Sequence, residues 1–296
     1  MTACRPSSGP DMPGSDGFGG LRGPAWRRAV ALVLAALAVI AAAVACSADQ
    51  AAAPPPAGSP DATAGTRSCS RLVIPAYFYS SATWAQAADS KPPPSNIILD
   101  ISGMGAGNAP DPHFQPIVRQ VRARGIKVLG YISTVDGGRP AAQVESEVRN
   151  YKAWYGVTDI FLDRVSGTEA QAAYYRQLAG YIHRLNPGSS VWLNPGQYPD
   201  QNYMSIGDVV MVFEGTYDQY LSLSVPGWAD RYPASRFAHT IYATPGSDLS
   251  RILKLAASRR AGHVYVTDAS GSNPYDGLPG YWAREAATAS AGCAGR

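Results

Sequence analysis

The sequence has few of the residues that build metal and redox sites. It contains four cysteines and four histidines in 296 residues, and neither type occurs at the spacing of a zinc site or a CxxC motif. The histidines are scattered along the chain, as surface or packing residues are. The sequence therefore predicts no metal site and no cofactor.

An excess of charge of one sign is also missing. Charged residues make up 16% of the chain, and the formal net charge is +3. Residues 1–45 carry four arginines and two aspartates, a net of +2, so the remainder is almost neutral. No run of lysines and arginines occurs. These observations exclude the basic surface that nucleic-acid binding requires.

The N-terminal region has the pattern of an export signal. Arg22, Arg27 and Arg28 precede the uncharged residues 29–45, which end in small side chains before Cys46. At 17 residues the apolar stretch is also just long enough for a retained membrane anchor. Cys46 resembles the acylated cysteine of bacterial lipoproteins. We therefore expect residues 1–45 to be a signal peptide or an anchor, and the protein to be extracellular or tethered to the cell surface.

The chain then divides into a linker and one folded domain. Residues 46–67 are rich in Ala and Pro and have too little apolar bulk to order themselves. Residues 68–295 are close to the size of one α/β barrel. Cys69 and Cys293 flank this domain and would be free to form a disulfide in an oxidising compartment. We expect a monomer, with membrane contact only through the N-terminal segment or a lipid.

Short β-rich runs alternate with helical segments through the domain, which predicts a single-domain (β/α)8 TIM barrel. The main alternative is a doubly wound open sheet, but the first run lacks the glycine-rich turn of that fold. Helical spacing covers residues 116–124, 141–155, 169–185 and 249–260. The eight predicted strands are 72–79, 96–101, 127–132, 159–162, 190–193, 209–213, 238–242 and 263–267.

The active site of such a barrel forms where the strands end. Carboxylates, an amide and tyrosines follow the predicted strands, and these groups bind sugars through hydrogen bonds and stacking. Besides the two acids considered next, the predicted substrate-binding residues are Tyr77, Tyr79, Asp100, Tyr131, Arg164, Asn194, Tyr217 and Asp268.

Asp163 after the fourth strand and Glu214 after the sixth are the predicted catalytic pair. Glycosidic bond hydrolysis uses one carboxyl as the acid and a second as the nucleophile or stabilising base. We expect Asp163 to attack the sugar, or to orient an N-acetyl group that attacks in its place. Glu214 would then be the general acid, with the higher pKa of the two.

The chain resembles the spherulin-4 (spherulation-specific) family over most of residues 71–282. The resemblance is carried by VIPAYFYSSATW, GIKVLGYISTVDGGR, WYGVTDIFLDR, LNPGQYP, VVMVFEGTYDQY and VYVTDASGSNPYDGLPGYW. It implies a (β/α)8 endo-glycosidase that cleaves α-1,4-linked N-acetylgalactosamine or galactosamine polymers. Asp163 and Glu214 match the acids of that family.

Arg164 departs from the family pattern, in which a second acid follows the fourth-strand aspartate. Either Arg164 tunes the charge of Asp163 or the preference for an anionic polymer, or it has abolished turnover and left a non-catalytic polysaccharide-binding barrel. An enzyme for a different glycan is a third reading. Asp100 is a second departure, because the family commonly has asparagine there.

Overall fold

Eight parallel strands close into a barrel in the order of the sequence, which confirms the predicted (β/α)8 fold. The computed structural model describes residues 70–291. Each strand is hydrogen-bonded to the next, and β8 closes back onto β1. The strands are β1 Arg71–Ala76, β2 Asn96–Leu99, β3 Lys127–Ser133, β4 Asp159–Asp163, β5 Val191–Leu193, β6 Val209–Thr216, β7 Phe237–Tyr242 and β8 His263–Val266.

Helices cover the outside of the barrel, with one difference from the predicted alternation. Residues 194–208, between β5 and β6, contain only a short 3-10 helix, Gln201–Ser205. Pro195, Gly196 and Pro199 in this connection oppose an α-helix. The α-helices are α1 Ser81–Ala88, α2 Phe114–Ala123, α3 Ala141–Asn150, α4 Ala172–Leu185, α5 Tyr217–Leu221, α6 Leu249–Ser258 and α7 Trp282–Ser290.

Side chains alternate between the inside of the barrel and the helix layer along each strand. On β1, for example, Val73 belongs to the inner core, whereas Leu72 and Ile74 pack outward. The inner core is formed by Val73, Ile98, Leu129, Tyr131, Phe161, Trp192, Val209, Met211 and Ala238. These residues fill the barrel below its mouth, so polar strand-end residues lie above an apolar floor.

The first and last strands meet over a short seam. β1 and β8 pair only at Arg71–His263 and Leu72–Val264. Farther up β8, the amide of Val266 donates to Oε1 of Glu285, a fully buried carboxyl on α7, at 2.7 Å. The carboxyl of Glu285 thus accepts the hydrogen bond of the Val266 amide in place of a carbonyl of β1.

The first strand is shorter than predicted. It ends at Ala76 rather than at Tyr79, because the amide of Tyr77 donates to the carbonyl of Tyr275 in the loop after β8 instead of to a neighbouring strand. The same contact brings the β8–α7 loop, residues 267–281, over the mouth of the barrel.

Several predictions lie outside the described residues. They are the export signal or anchor in residues 1–45, the lipid on Cys46, the linker and the Cys69–Cys293 disulfide. Within residues 70–291, none of the helices has both the length and the apolar character needed to cross a bilayer.

Candidate active site

Four of the predicted residues face the mouth because of the pleat of their strands. Asp163 follows the inward-facing Phe161 by two positions, and Asn194 follows the inward-facing Trp192 in the same way. By the same alternation, Tyr77 lies on the inner face with Val73, and Asp100 lies on the inner face with Ile98. Strand geometry alone therefore collects an acid, an amide, a tyrosine and a second acid above the inner core.

Glu214 reaches the mouth through an irregularity in β6. Counting from the inward-facing Met211 by the regular alternation would turn Glu214 outward. The register with β7 shifts between Met211 and Phe213, so that Glu214 lies opposite Thr240. Thr240 is two positions after the inward-facing Ala238, and partners in a ladder share a face. This bulge therefore directs the Glu214 carboxyl into the barrel.

The amide of Asn194 joins the two predicted catalytic acids. Its Nδ2 donates to Oδ1 of Asp163 at 2.7 Å and to Oε2 of Glu214 at 2.6 Å. Its Oδ1 accepts from the amide of Gly196 at 2.9 Å, which fixes the orientation of the side chain. Gly196 has a φ of 66°, in the left-handed region that suits glycine. Both NH₂ hydrogens of Asn194 are thus used to hold the acids side by side.

Two tyrosines complete the hydrogen bonding of the pair. Tyr131 donates to Oδ2 of Asp163, and Tyr275 donates to Oε1 of Glu214, both at 2.8 Å. Each of the four carboxyl oxygens therefore has a donor. Tyr77 packs edge-on against both tyrosine rings, with centroids 5.4 and 5.5 Å away.

Burial raises the pKa of both acids, but their surroundings differ. For Asp163, hydrogen bonds from Tyr131 and Asn194 and the adjacent Arg164 oppose the rise in pKa. For Glu214, the charge of Asp163 adds to the effect of burial, and only the bonds from Asn194 and Tyr275 oppose it. The surroundings of Glu214 therefore favour its protonated form more than those of Asp163 do.

Glu214 lines a cleft of about 460 Å³ at the mouth, and Asp163 is joined to this cleft through its bonds to Asn194 and to the lining residue Tyr131. Its lining is aromatic and acidic, and the described residues around it include no lysine or arginine. The β8–α7 loop forms one wall of the cleft, on the opposite side of β1 from β2. The lining residues are Tyr77, Asp100, Tyr131, Glu214, Tyr242, Gly271, Ser272, Asn273, Pro274 and Tyr275.

Asp100 adds a second carboxyl to the lining of this cleft. Its Oδ1 accepts from the amide of Gly103 at 2.7 Å, so the start of the β2–α2 loop holds the side chain in place. Burial raises the pKa of Asp100, the backbone amides of residues 101–103 lower it, and the charge of Asp163 raises it further. The cleft thus has a carboxyl group on two sides of its aromatic lining.

Arg164 points away from the pair. Its guanidinium bonds Oδ2 of Asp136 at 2.7 Å, and both side chains are more than half exposed. Its backbone has a φ of 49°, in the left-handed region, and its carbonyl accepts from Thr134 Oγ1 and from the Asp136 amide. Arg164 still lowers the pKa of Asp163 through its backbone amide and its charge, but burial raises this pKa by more.

Three other predicted residues neither line the cleft nor contact the catalytic pair through a hydrogen bond. Tyr79 is 60% exposed on the β1–α1 loop. The hydroxyl of Tyr217, at the start of α5, accepts from Arg251, and Asp268 accepts from the amide of Gly280. Their contact with a substrate stays a prediction.

Tyr275 was missed in the sequence. Tyr275 lies in DASGSNPYDG, a turn-rich segment without strand or helix periodicity, and its contact with Glu214 spans 61 positions. The signal available was an aromatic residue inside a loop that follows a barrel strand. Among residues 70–291, no cluster of three or more acids, histidines or cysteines has the geometry of a metal site.

These observations define the class of the protein: a closed (β/α)8 barrel with paired, hydrogen-bonded carboxyls at its mouth. The model of spherulation-specific family 4 matches residues 71–289, and the chain belongs to this family. It is 28% identical over 237 residues to Spherulin-4 of Physarum polycephalum, across 76% of this chain and 71% of that protein.

Two solved structures share the fold. Sph3 of Aspergillus clavatus, determined in complex with GalNAc, superposes with a TM-score of 0.67 at 23% identity, over 75% of this chain and 98% of Sph3. A chitinase of Chromobacterium violaceum superposes with a TM-score of 0.50 at 14% identity, over 77% and 100%. At these identities the likeness establishes a common barrel.

Proposed function

We propose that this protein is a glycoside hydrolase acting on an amino-sugar polysaccharide. The observation that carries the proposal is the pair Asp163 and Glu214, bridged by the single amide of Asn194. A glycosidic bond is cleaved by two carboxyls that flank it. Here two carboxyls from different strands bond one amide, and Glu214 lines the cleft, in the part of the barrel where catalytic groups gather.

The surroundings of the acids suggest their roles. Glu214 holds a proton and gives it to the leaving glycosidic oxygen, while Asp163 attacks the anomeric carbon or orients an N-acetyl oxygen that does so. Glu214, now ionised, then removes a proton from the water that releases the sugar. Bonds from Tyr131 and Asn194 stabilise the charge that Asp163 needs for its role.

The spacing of the pair favours retention of configuration. Because one nitrogen bonds both acids, at 2.7 and 2.6 Å, the two bonded oxygens can be no farther apart than these bonds laid end to end. This limit suits the ~5–5.5 Å carboxyl separation of retaining enzymes better than the ~6.5–9.5 Å that leaves room for an attacking water.

For the substrate we propose an α-1,4-linked galactosamine polymer, in N-acetylated or deacetylated form, cleaved within the chain. Family membership and the GalNAc in the Sph3 structure support the sugar. The charge of the cleft supports it independently, because the carboxyls of Asp100 and Asp163, with no lysine or arginine in the described lining, favour a neutral or cationic sugar over an anionic one. The anionic polymer that Arg164 suggested is therefore not the one we propose.

A polysaccharide-binding barrel without turnover is the second candidate. Arg164 raised this alternative in the sequence. Its guanidinium is paired with Asp136, however, and both Asp163 and Glu214 are present with their hydrogen bonds. We therefore place it behind the hydrolase.

The test is an incubation of the full-length protein with acetylated and deacetylated α-1,4-galactosaminan. Release of oligosaccharides is expected, and Asp163→Asn or Glu214→Gln should each reduce it by roughly 10²-fold or more, with the circular dichroism spectrum unchanged. Full activity in both variants would refute the hydrolase. Binding without release, converted to release by Arg164→Glu, would establish the second candidate.

For the whole chain, we propose export by residues 1–45, a linker over residues 46–67 and an extracellular or surface-tethered domain over residues 68–295. Lipid at Cys46 and a disulfide between Cys69 and Cys293 belong to the same proposal.

A further inference from the structure

The rim of the cleft carries an exposed aromatic side chain that the proposed chemistry does not use. Among the residues that the structure describes, the large apolar side chains that stand open to solvent are Tyr79, at 60%, and Met104, at 43%. Tyr79 lies on the β1–α1 loop and Met104 on the β2–α2 loop. Both loops leave the carboxyl ends of their strands, so both residues lie on the side of the barrel that holds the mouth.

Tyr79 is held in a fixed orientation although it is exposed. The ring of His113 stacks on it, with centroids 3.8 Å apart and planes 10° from parallel, and Phe114 packs edge-on at 5.4 Å. The His113 Nε2 lies 2.5 Å from the Tyr79 carbonyl, and the Tyr79 hydroxyl bonds Asp111 weakly at 3.4 Å. Because His113 covers one face of the ring, the exposed area belongs to the opposite face and the edges.

The exposed ring is continuous with the cleft along the chain. Tyr77, two residues earlier on the same loop, lines the cleft between Tyr131 and Tyr275. Asp100 lines it from the start of the loop that also carries His113. At about 460 Å³ the cleft lies toward the small end of the ~300–1,000 Å³ that ligand pockets span. A polymer with its reacting bond inside must therefore leave over the rim.

The chemistry of this rim fits a sugar. A pyranose presents an apolar C–H face to an aromatic ring and hydroxyls at its edge, and Tyr79 offers an open ring face with polar neighbours. A protein partner would require a contiguous interface of ~1,000 Å² or more, and one isolated tyrosine does not supply it.

We propose that the Tyr79 ring, backed by His113, is a distal subsite that stacks one sugar unit of a polymer threaded from the cleft. It rests on the proposed function. The subsite is formed before substrate arrives, since stacking and the Asp111 contact already fix the ring, so little side-chain entropy is lost on binding. It makes the enzyme prefer long chains to short ones.

The test compares binding of long and short chains to the full-length Glu214→Gln protein, in which cleavage is suppressed. The probes are the α-1,4-linked N-acetylgalactosamine polymer, its deacetylated form and oligosaccharides too short to leave the cleft. Adding Tyr79→Ala should lower the preference for polymer over short chains roughly three- to tenfold. Tyr79→Phe keeps the ring and should hold the preference within about twofold.

A matched control is Tyr181→Ala, because Tyr181 lies near the end of α4, the end of the helix that is remote from the mouth, and contacts Arg149. Its polymer preference should equal that of the parent protein. If the parent prefers the polymer and Tyr79→Ala keeps that preference in full, the subsite is refuted and the hydrolase stands. If the wild-type protein neither cleaves nor binds these polymers, the proposed function fails and the subsite fails with it.

Discussion

At the scale of single residues, the two acids of the site are distinguished by one hydrogen bond each. Asn194 serves both equally, whereas Tyr131 serves only Asp163 and Tyr275 only Glu214. A phenol that donates to a carboxylate stabilises its charged form and lowers its pKa. Removing one phenol hydroxyl therefore changes one acid more than the other.

We predict that Tyr131→Phe and Tyr275→Phe move opposite limbs of the pH profile of kcat/KM. If Asp163 must be ionised and Glu214 protonated, the acid limb follows the pKa of Asp163 and the alkaline limb that of Glu214. Loss of the Tyr131 bond should shift the acid limb to higher pH, and loss of the Tyr275 bond the alkaline limb to higher pH. Each should cost roughly ten- to a hundredfold at the optimum.

Because Asp163 and Glu214 interact, each limb of the pH profile depends on both acids. The roles of the two acids are therefore assigned by comparing the two variants with each other. Tyr181→Phe, far from the mouth, is the control. If Tyr131→Phe moves the alkaline limb and Tyr275→Phe the acid limb, the roles of Asp163 and Glu214 are reversed.

The site residues at the ends of strands could be predicted from the sequence. Tyr275, which the β8–α7 loop brings to the site, could not. Asp163, Asn194 and Tyr131 are fixed by the ends of apolar runs, which are visible in the sequence. Tyr275 reaches Glu214 because the β8–α7 loop folds back over the mouth and bonds the Tyr77 amide. Such a contact depends on tertiary packing, and local sequence carries no periodic signal for it.

At the scale of elements, β6 shows a limit of the strand pattern. VVMVFEGT is a continuous apolar run before its acid, so the sequence indicates a buried strand and gives no sign of the shift between Met211 and Phe213. The end of the strand nevertheless indicated Glu214, and the structure places its carboxyl in the cleft lining. Counting faces along the pleat would have rejected the residue. The absence of an α-helix between β5 and β6, by contrast, is consistent with Pro195 and Pro199 in that connection.

The contact between α7 and β8 predicts a measurable loss of stability. Glu285 is fully buried and accepts from the Val266 amide at 2.7 Å. Glu285→Ala leaves that amide without a partner and opens a cavity, so the free energy of unfolding should fall by about 2–4 kcal/mol. Glu285→Gln keeps an acceptor and should cost about 1 kcal/mol or less. Urea denaturation measures both.

Glu169→Ala, at an exposed position, is the control and should stay within about 0.5 kcal/mol of the wild type. Hydrogen exchange locates the effect, because the Val266 amide should lose protection first in Glu285→Ala. Equal losses in the alanine and glutamine variants would show that neither the acceptor nor the side-chain volume, both of which glutamine keeps, accounts for the loss.

At the scale of the whole molecule, buried ionisable groups of opposite type set the dependence of stability on pH. The folded state raises the pKa of several carboxyls, chiefly by burial, and lowers that of two histidines, also by burial, to about 3 and about 4. The carboxyls are Asp100, Asp163, Glu214 and Glu285, and the histidines are His239 and His263.

The two types act against each other below about pH 6.5. A carboxyl whose pKa is raised by folding stabilises the folded state fully below its unfolded-state pKa of ~4. It loses this stabilising contribution as the pH rises through its folded-state pKa. The neutral histidines stabilise the folded state fully above pH ~6.5, and they lose this stabilising contribution as the pH falls. Above that pH only the carboxyls still titrate, so the free energy of unfolding should fall as the pH rises.

Glu285 should account for much of this fall, because its pKa is raised furthest beyond the ordinary range, chiefly by burial. Thermal melts of the wild type and Glu285→Gln from pH 5 to 9 measure the two slopes. The glutamine variant should have the flatter profile above pH ~6.5. Identical slopes would mean that Glu285 does not change its protonation on unfolding in that range.

The short seam between β1 and β8 has a consequence for how the molecule is made. The ring of strands stays open until the last strand has been synthesised, and the amide hydrogen bond beside the seam needs a carboxyl 19 positions later still. A nascent chain therefore completes its fold only when nearly all of it has left the ribosome. Premature termination before β8 leaves the newborn polypeptide unable to close the ring of strands.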